Sequence, residues 1–193
     1  MQLVFATNNL NKIKEVEALI PKHIKLLSLE DILCIEDVPE TQPTIEGNAI
    51  QKAEYIKTNY GYDCFADDTG LEVEALNGEP GVYSARYAGP QRSASDNTNK
   101  LLLELEGKVN RNAHFKTVIA LHLNGSLHTF TGICEGKITH EKHGEKGFGY
   151  DPIFKPSGQD KTFAQMELEL KNKIGHRGKA VQQLIKFLSN KTV

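Results

Sequence analysis

The chain reads as a single α/β domain built on a mixed sheet, and three observations predict it. Short apolar runs alternate with segments of helical period through the first half. Residues 112–134 alternate with period two on either side of Asn124-Gly125, a favoured pair for a two-residue hairpin turn. The length of 193 residues suits one domain, 1–193, whose core is large enough to need no covalent staples. Helices between strands generate parallel pairs, and the hairpin adds an antiparallel one.

The elements follow in order. Gln2–Thr7 is a short apolar strand that breaks at Asn8-Asn9. A helix then runs through Ile20, with Ile13, Val16, Leu19 and Ile20 on one face, and Pro21 stops it. Ile24–Ser28 is a second strand, and Leu29–Pro43 is irregular and acidic. A helix from Ile45 to Tyr60, capped by Thr44, buries Ala49, Ile50, Ala53 and Ile56. Cys64–Ala66 is a strand ending in Asp67-Asp68. Leu71, Val73 and Ala75 alternate with Glu72, Glu74 and Leu76 in a rough period of two, and Asn77–Gly81 is a turn. Ser93–Leu105 is helical. Asn112–Leu123 and Ser126–Cys134 form the hairpin, and Gly144–Asp151 is a glycine-rich loop. A helical stretch from Thr162 breaks near Gly175, and a last helix, Gly178–Leu188, buries Ala180, Leu184, Ile185 and Leu188.

Composition narrows the function. A hydrophobic fraction of 39% with 25% charged residues describes an ordinary globular chain, and a net charge of −2 lacks the basic surplus of a duplex nucleic-acid binder. Cys34, Cys64 and Cys134 are odd in number and form no CxxC pair, so free buried thiols are expected rather than a disulfide or zinc framework. The first residues do not read as a signal peptide, and no apolar run approaches the ~18 residues of a membrane span. No nucleic-acid partner, no membrane partner and a cytoplasmic location are expected.

Four segments carry chemistry. Thr7-Asn8-Asn9-Leu10-Asn11-Lys12 joins a strand to a helix start, where free N–H groups favour an anion; the plainer reading is a helix cap. Asp67-Asp68-Thr69-Gly70 follows a strand, and paired carboxylates suit Mg²⁺, which takes one or two of them with waters and phosphates; the plainer reading is an acidic turn. Alternation points the two aspartates in opposite directions, so one faces the substrate and the other supports the loop. Glu40 could reach the same metal, and Lys52 a phosphate. Gly147-Phe148-Gly149-Tyr150-Asp151 offers a ring to stack on a base and a carboxylate for ring N–H groups, against a loop with a core Phe. Gly175-His176-Arg177-Gly178 concentrates hydrogen-bond donors at a helix start.

Together these blocks, with Glu40-Thr41, Asn48-Ala49, Lys52-Ala53, Pro80–Tyr87 and Gly147–Phe154, resemble in order and nearly end to end the inosine triphosphate pyrophosphatase family, the non-standard purine NTP pyrophosphatases. The resemblance implies an elongated mixed sheet with flanking helices forming two lobes around a central substrate cleft, a homodimer and a Mg²⁺ requirement. It implies hydrolysis of ITP, dITP and XTP to monophosphate and pyrophosphate. It puts Thr7, Asn8, Asn9, Leu10, Asn11, Lys12 and Lys52 on the triphosphate and Thr69 on the substrate. Asp68 becomes the general base and a metal ligand with Glu40. Phe148, Gly149, Tyr150, Asp151, Lys171, His176 and Arg177 form the nucleoside pocket, in which His176 and Arg177 donate to the 6-keto oxygen. Two departures stand out. Thr44-Ile45-Glu46-Gly47-Asn48 lacks the aromatic and the glutamate common there, and Gly175 replaces a common Ser, which is expected to loosen that turn. Two other readings compete. A phosphatase removing one phosphate needs Asp-x-Asp, which Asp67-Asp68-Thr69 does not fit. A non-catalytic purine nucleotide-binding module has little use for clustered carboxylates.

Overall fold

The computed structural model describes residues 1–191. Its strands are β1 (Gln2–Phe5), β2 (Lys25–Leu27), β3 (Cys64–Val73), β4 (Pro80–Gly81), β5 (Asn112–Leu123), β6 (Ser126–Ile138) and β7 (Phe154–Pro156). They form one sheet in the order β2-β1-β3-β5-β6-β7, with β4 paired to β3. The sheet is mixed: β1 runs parallel to β2 and β3, while β3–β4 and β6–β7 are antiparallel. The helices are α1 (Leu10–Glu17), α2 (Ile45–Tyr60), α3 (Ala94–Glu104), α4 (Leu168–Ile174) and α5 (His176–Lys191).

Two compact units share the chain. Among the described residues the first comprises 1–68, 117–132 and 177–191, and the second 69–116 and 133–176; β3, β5 and β6 contribute residues to both. In the first unit, Leu3, Phe5, Phe65, Ile119 and Leu121 of the sheet bury Val16 of α1 and Ala180, Val181, Leu184 and Leu188 of α5. Phe5 and Phe65 stack in parallel at 4.6 Å. Cys64, next to Phe65, projects the other way, and its thiol donates to Ala53 O of α2 at 3.2 Å. In the second unit, Leu71, Val73, Phe115, Ile153, Phe154 and Phe163 form the core with Leu101 and Leu105 at the end of α3.

Most expected elements are present, but α1 ends at Glu17 rather than Ile20, β3 stops at Val73 before a 3-10 turn that contains Ala75, β6 runs on to Ile138 rather than Cys134, and β7 is not among the expected elements. There are four further differences. The acidic pair lies inside β3, not at a strand end. Register with β1 at Val4↔Cys64 and Phe5↔Phe65, and with β4 at Leu71↔Gly81, holds extended backbone on both sides of Asp67-Asp68. The stretch after Thr162 is first a 3-10 turn, Phe163–Gln165, closed by reciprocal Thr162–Gln165 bonds, and only then α4. Helix α5 begins at His176, two residues before the expected start. Ile50 and Ile185 are half-buried rather than buried. The hairpin turn falls where expected, with Asn124 and Gly125 at φ 50° and 79°, the left-handed pair of a type I′ turn.

The stacked Phe5–Phe65 pair ties β1 to β3 under the acidic segment. Phe65→Ala is expected to lower unfolding free energy by about 3–5 kcal/mol, the usual cost of truncating a buried aromatic. Urea unfolding followed by circular dichroism measures it, and a loss below about 1 kcal/mol contradicts the packing argument.

Candidate active site

The first unit gathers charge around the middle of β3. Strand alternation sends Asp67 to the face covered by α1 and α5, and Asp68 to the face covered by α2. On the first face Lys12 Nζ donates to Asp67 Oδ1 at 2.9 Å, and Arg177 Nε donates to Asp67 Oδ2 at 3.0 Å. Arg177 Nη1 is bound in turn to Glu15 of α1. All these groups except Lys12 are nearly sealed, Asp67 at 1% exposure and Arg177 at 2%. Burial opposes the Asp67 charge, but Lys12, Arg177 and Lys52 outweigh it and hold the carboxyl far below its usual range. Arg177 is likewise pushed up by Asp67 and Glu15 against the effect of burial.

On the second face Lys52 Nζ lies 2.6 Å from Glu40 Oε1 and 3.6 Å from Asp68 Oδ1. Two carboxylates from distant parts of the chain therefore converge on one ammonium. Burial raises the Asp68 carboxyl above its ordinary value, against the pull of Lys52 and Lys12. For Lys52 burial works downward, and Asp68 and Glu40 reverse it, so its charge is kept.

This arrangement suits a divalent cation. The cluster sets four carboxylates (Glu15, Glu40, Asp67, Asp68) against three cationic side chains (Lys12, Lys52, Arg177). The excess negative charge falls on the α2 face, where Glu40 and Asp68 side chains keep 28% and 13% of their surface open. No group of three His, Cys, Asp or Glu side chains converges among the described residues. Glu40 and Asp68 are the two carboxylates that could hold such an ion on this face.

The Thr7–Lys12 segment behaves partly as a cap. Asn9 Oδ1 accepts from Asn11 N and Lys12 N at 3.0 and 3.2 Å, and Thr7 Oγ1 accepts from Asn9 N at 3.2 Å. Of the N–H groups expected to be open to an anion, those of Asn9, Asn11 and Lys12 are therefore held by the segment's own side chains. Asn8, Leu10 and Asn11 are exposed.

The second unit holds the other predicted set. Asp151 Oδ2 accepts from Phe148 N at 2.8 Å and from Lys171 Nζ at 2.6 Å, and that ammonium sits 4.8 Å from the centre of the half-buried Phe148 ring. Asp151 is 2% exposed, so it organises the loop from beneath. Gly147 is obligatory: its φ is +74°, and a Cβ there would lie 2.1 Å from Asp151 Oδ2. Tyr150 is buried, its hydroxyl donating to Ser84 O at 2.9 Å. Thr69 opens this unit. His176 stacks on Phe115 at 4.4 Å. The adjacent His176 and Arg177 fall in different units, and His176 packs on Phe115 and Phe163. Gly175 is tight rather than loose, since a Cβ there would meet Lys171 O at 2.5 Å. A surface depression of about 860 Å³ in this unit, lined by Leu102, Leu103, Glu106, Val109 and Arg111 among others, includes none of the predicted residues.

Sequence reasoning missed Glu15 and the partnership of Arg177 with Asp67, and gave Asn48 no role. For Glu15 and Asn48 the signal was helical phase. Glu15 sits three residues after Lys12, beside Val16 on the inner face of α1, and Asn48 lies four before Lys52 on α2.

The Ham1 family model matches residues 3–187. The chain belongs to the Ham1 family. Ham1 relatives include a Flavobacterium johnsoniae protein named dITP/XTP pyrophosphatase, 66% identical over 98% of each chain. A Porphyromonas gingivalis protein of the same name is 50% identical over 97% of each. Among solved structures, the Staphylococcus aureus Ham1 protein superposes with a TM-score of 0.90 at 41% identity, covering 99% of this chain and 100% of that one. A Coxiella burnetii HAM1 protein gives 0.91 at 37%, covering 98% and 99%. The mixed α/β sheet with flanking helices is thus the Ham1 fold.

The buried Glu15–Arg177–Asp67 arrangement generates a stability prediction. Arg177→Met leaves two buried carboxylates short of a cation and is expected to cost about 3–5 kcal/mol. Denaturant unfolding reads it; a change under about 1 kcal/mol would mean that the guanidinium does not neutralise them in solution.

Proposed function

We propose that this chain is a nucleoside triphosphate pyrophosphatase that converts ITP, dITP and XTP to the monophosphate and pyrophosphate. The observation that carries the reading is the convergence of Glu40 and Asp68 on Lys52, with Lys12 held on the adjacent Asp67. Full-length similarity to proteins named dITP/XTP pyrophosphatase supports the substrate class.

In this reading Glu40 and Asp68 hold Mg²⁺, which when bound neutralises charge on the departing pyrophosphate. Asp68 orients the attacking water toward the α-phosphorus and accepts its proton. Lys12 and Lys52, with Thr7, Asn8, Asn9, Leu10 and Asn11, receive the triphosphate and stabilise charge developing on it. Thr69 contacts the substrate. Phe148 stacks on the purine, with Gly149 and Tyr150 shaping the loop and Asp151 holding Lys171 beside the ring. His176 and Arg177 donate toward the 6-keto oxygen, which adenine lacks; because Arg177 also binds Asp67 and Glu15, its loss affects stability as well as recognition. The same reading takes residues 1–193 as one enzyme domain, working as a cytoplasmic homodimer. Three buried, unbridged cysteines agree with a reducing compartment. No helix among the described residues is long and apolar enough to cross a membrane.

Product analysis tests the proposal. ITP, dITP and XTP are expected to yield pyrophosphate in preference to GTP and ATP; orthophosphate would indicate a phosphatase, and no product a binding module. Asp68→Asn should reduce turnover by at least about 100-fold with the fold intact, and a loss under about tenfold removes Asp68 as the base. Phe148→Ala should weaken binding of every base by about 1–3 kcal/mol, since each has a π-face. Titration of a non-hydrolysable ITP analogue measures this, and unchanged affinity would place Phe148 outside the base site.

A further inference from the structure

We propose that Asn48 is a positioning residue that aims the Asp68 carboxylate and ties it to the loop carrying Glu40; this rests on the pyrophosphatase reading and deepens it. Asn48 lies in the first turn of α2 and is 1% exposed. Its Oδ1 accepts from Gln42 N at 2.9 Å, and its Nδ2 donates to Asp68 Oδ2 at 3.4 Å. The first contact settles the orientation of the amide. A backbone N–H can only donate, so the atom facing Gln42 is the oxygen and the NH₂ group faces Asp68.

Lys52, one turn later on the same helix face, approaches the other oxygen, Oδ1, at 3.6 Å. The two donors do different work. The ammonium is a point charge on a flexible stem, shared with Glu40, and does not define the plane of a carboxylate. The amide is short, buried and pinned at its far end, so it does. Asn48 also fastens the loop, but Gln51 does so independently: Gln51 Oε1 accepts from Thr41 N at 2.9 Å, and its Nε2 donates to Thr41 Oγ1 at 2.8 Å. The loop is also tied to α2 by Glu40 with Lys52 and by Glu36 with Tyr55 and Tyr60, and Lys52 approaches Asp68 as well; of the two amide ties, that of Asn48 is the one that reaches Asp68.

The two ties separate orientation from anchoring. Asn48→Asp keeps an acceptor for Gln42 N–H and removes the donor to Asp68. Its kcat on ITP is expected to fall by about 10- to 100-fold, the scale of a misaimed catalytic group, with KM and affinity for a non-hydrolysable ITP analogue within about threefold of the parent. Asn48→Ala, which buries no new charge, is expected to behave alike and serves if the aspartate variant does not fold. Gln51→Ala, which loosens the loop alone, is expected to lose markedly less kcat than either. A kcat within about threefold of the parent in the folded Asn48 variants overturns the proposal, as does a fall in Gln51→Ala equal to theirs or a loss carried wholly by KM. A parent protein that releases no pyrophosphate overturns it together with the pyrophosphatase reading, whereas an active parent with active Asn48 variants overturns the positioning role alone.

Discussion

Two adjacent carboxylates in the middle of a strand cannot face the same way, and the charged architecture of the first unit follows from that. Extended backbone puts Asp67 and Asp68 on opposite faces of β3, so each needs its own cations from a different helix layer. A buried carboxylate left alone costs several kcal/mol or discharges by taking up a proton. Asp67 avoids both through Lys12 and Arg177, and Arg177 is balanced by Glu15. Asp68 meets Lys52 and Asn48 of α2, with Glu40 completing the group from its loop. The hydrophobic contacts that seat α1 and α5 on one face and α2 on the other therefore also fix where the charges lie.

The two sides differ in kind. The Asp67 side is nearly sealed apart from Lys12, whose ammonium is held on Asp67 at 2.9 Å. The Asp68 side is partly open, and burial and neighbouring acids raise its carboxyl rather than lower it. The two neighbours are thus shifted in opposite directions, Asp67 held well below the usual carboxyl range and Asp68 raised above it.

The second unit uses the same device. Asp151, buried, accepts from Phe148 N and Lys171 with one oxygen, and so fixes both the aromatic and the cation around it. Glycine at 147 is what lets the chain pass within reach of that oxygen. The local departures from the resemblance have steric grounds of a related sort. A Cβ at Gly47 would meet Gln42 Cβ at 2.8 Å, the segment that Asn48 holds, and Glu46 faces solvent. At Gly175 the obstacle is the last carbonyl that α4 offers to its cap.

By itself the sequence determined the main helices and strands of the first half, the hairpin turn at Asn124-Gly125, and most of the buried stripes of α2 and α5. These are properties of near neighbours: period, capping and turn chemistry act over four or five residues. Tertiary structure alone decided that β3 runs unbroken through the acidic pair, because the extended backbone there is held by pairing with β1 and β4, which lie far off along the chain. It also decided that Arg177 meets Asp67 and Glu15, 110 and 162 residues away, and that His176 beside it belongs to a different unit. Helical phase marks Glu15 and Asn48 as inward-facing, but which charge each meets depends on how helices and loop pack over the strand, and no local pattern encodes that geometry.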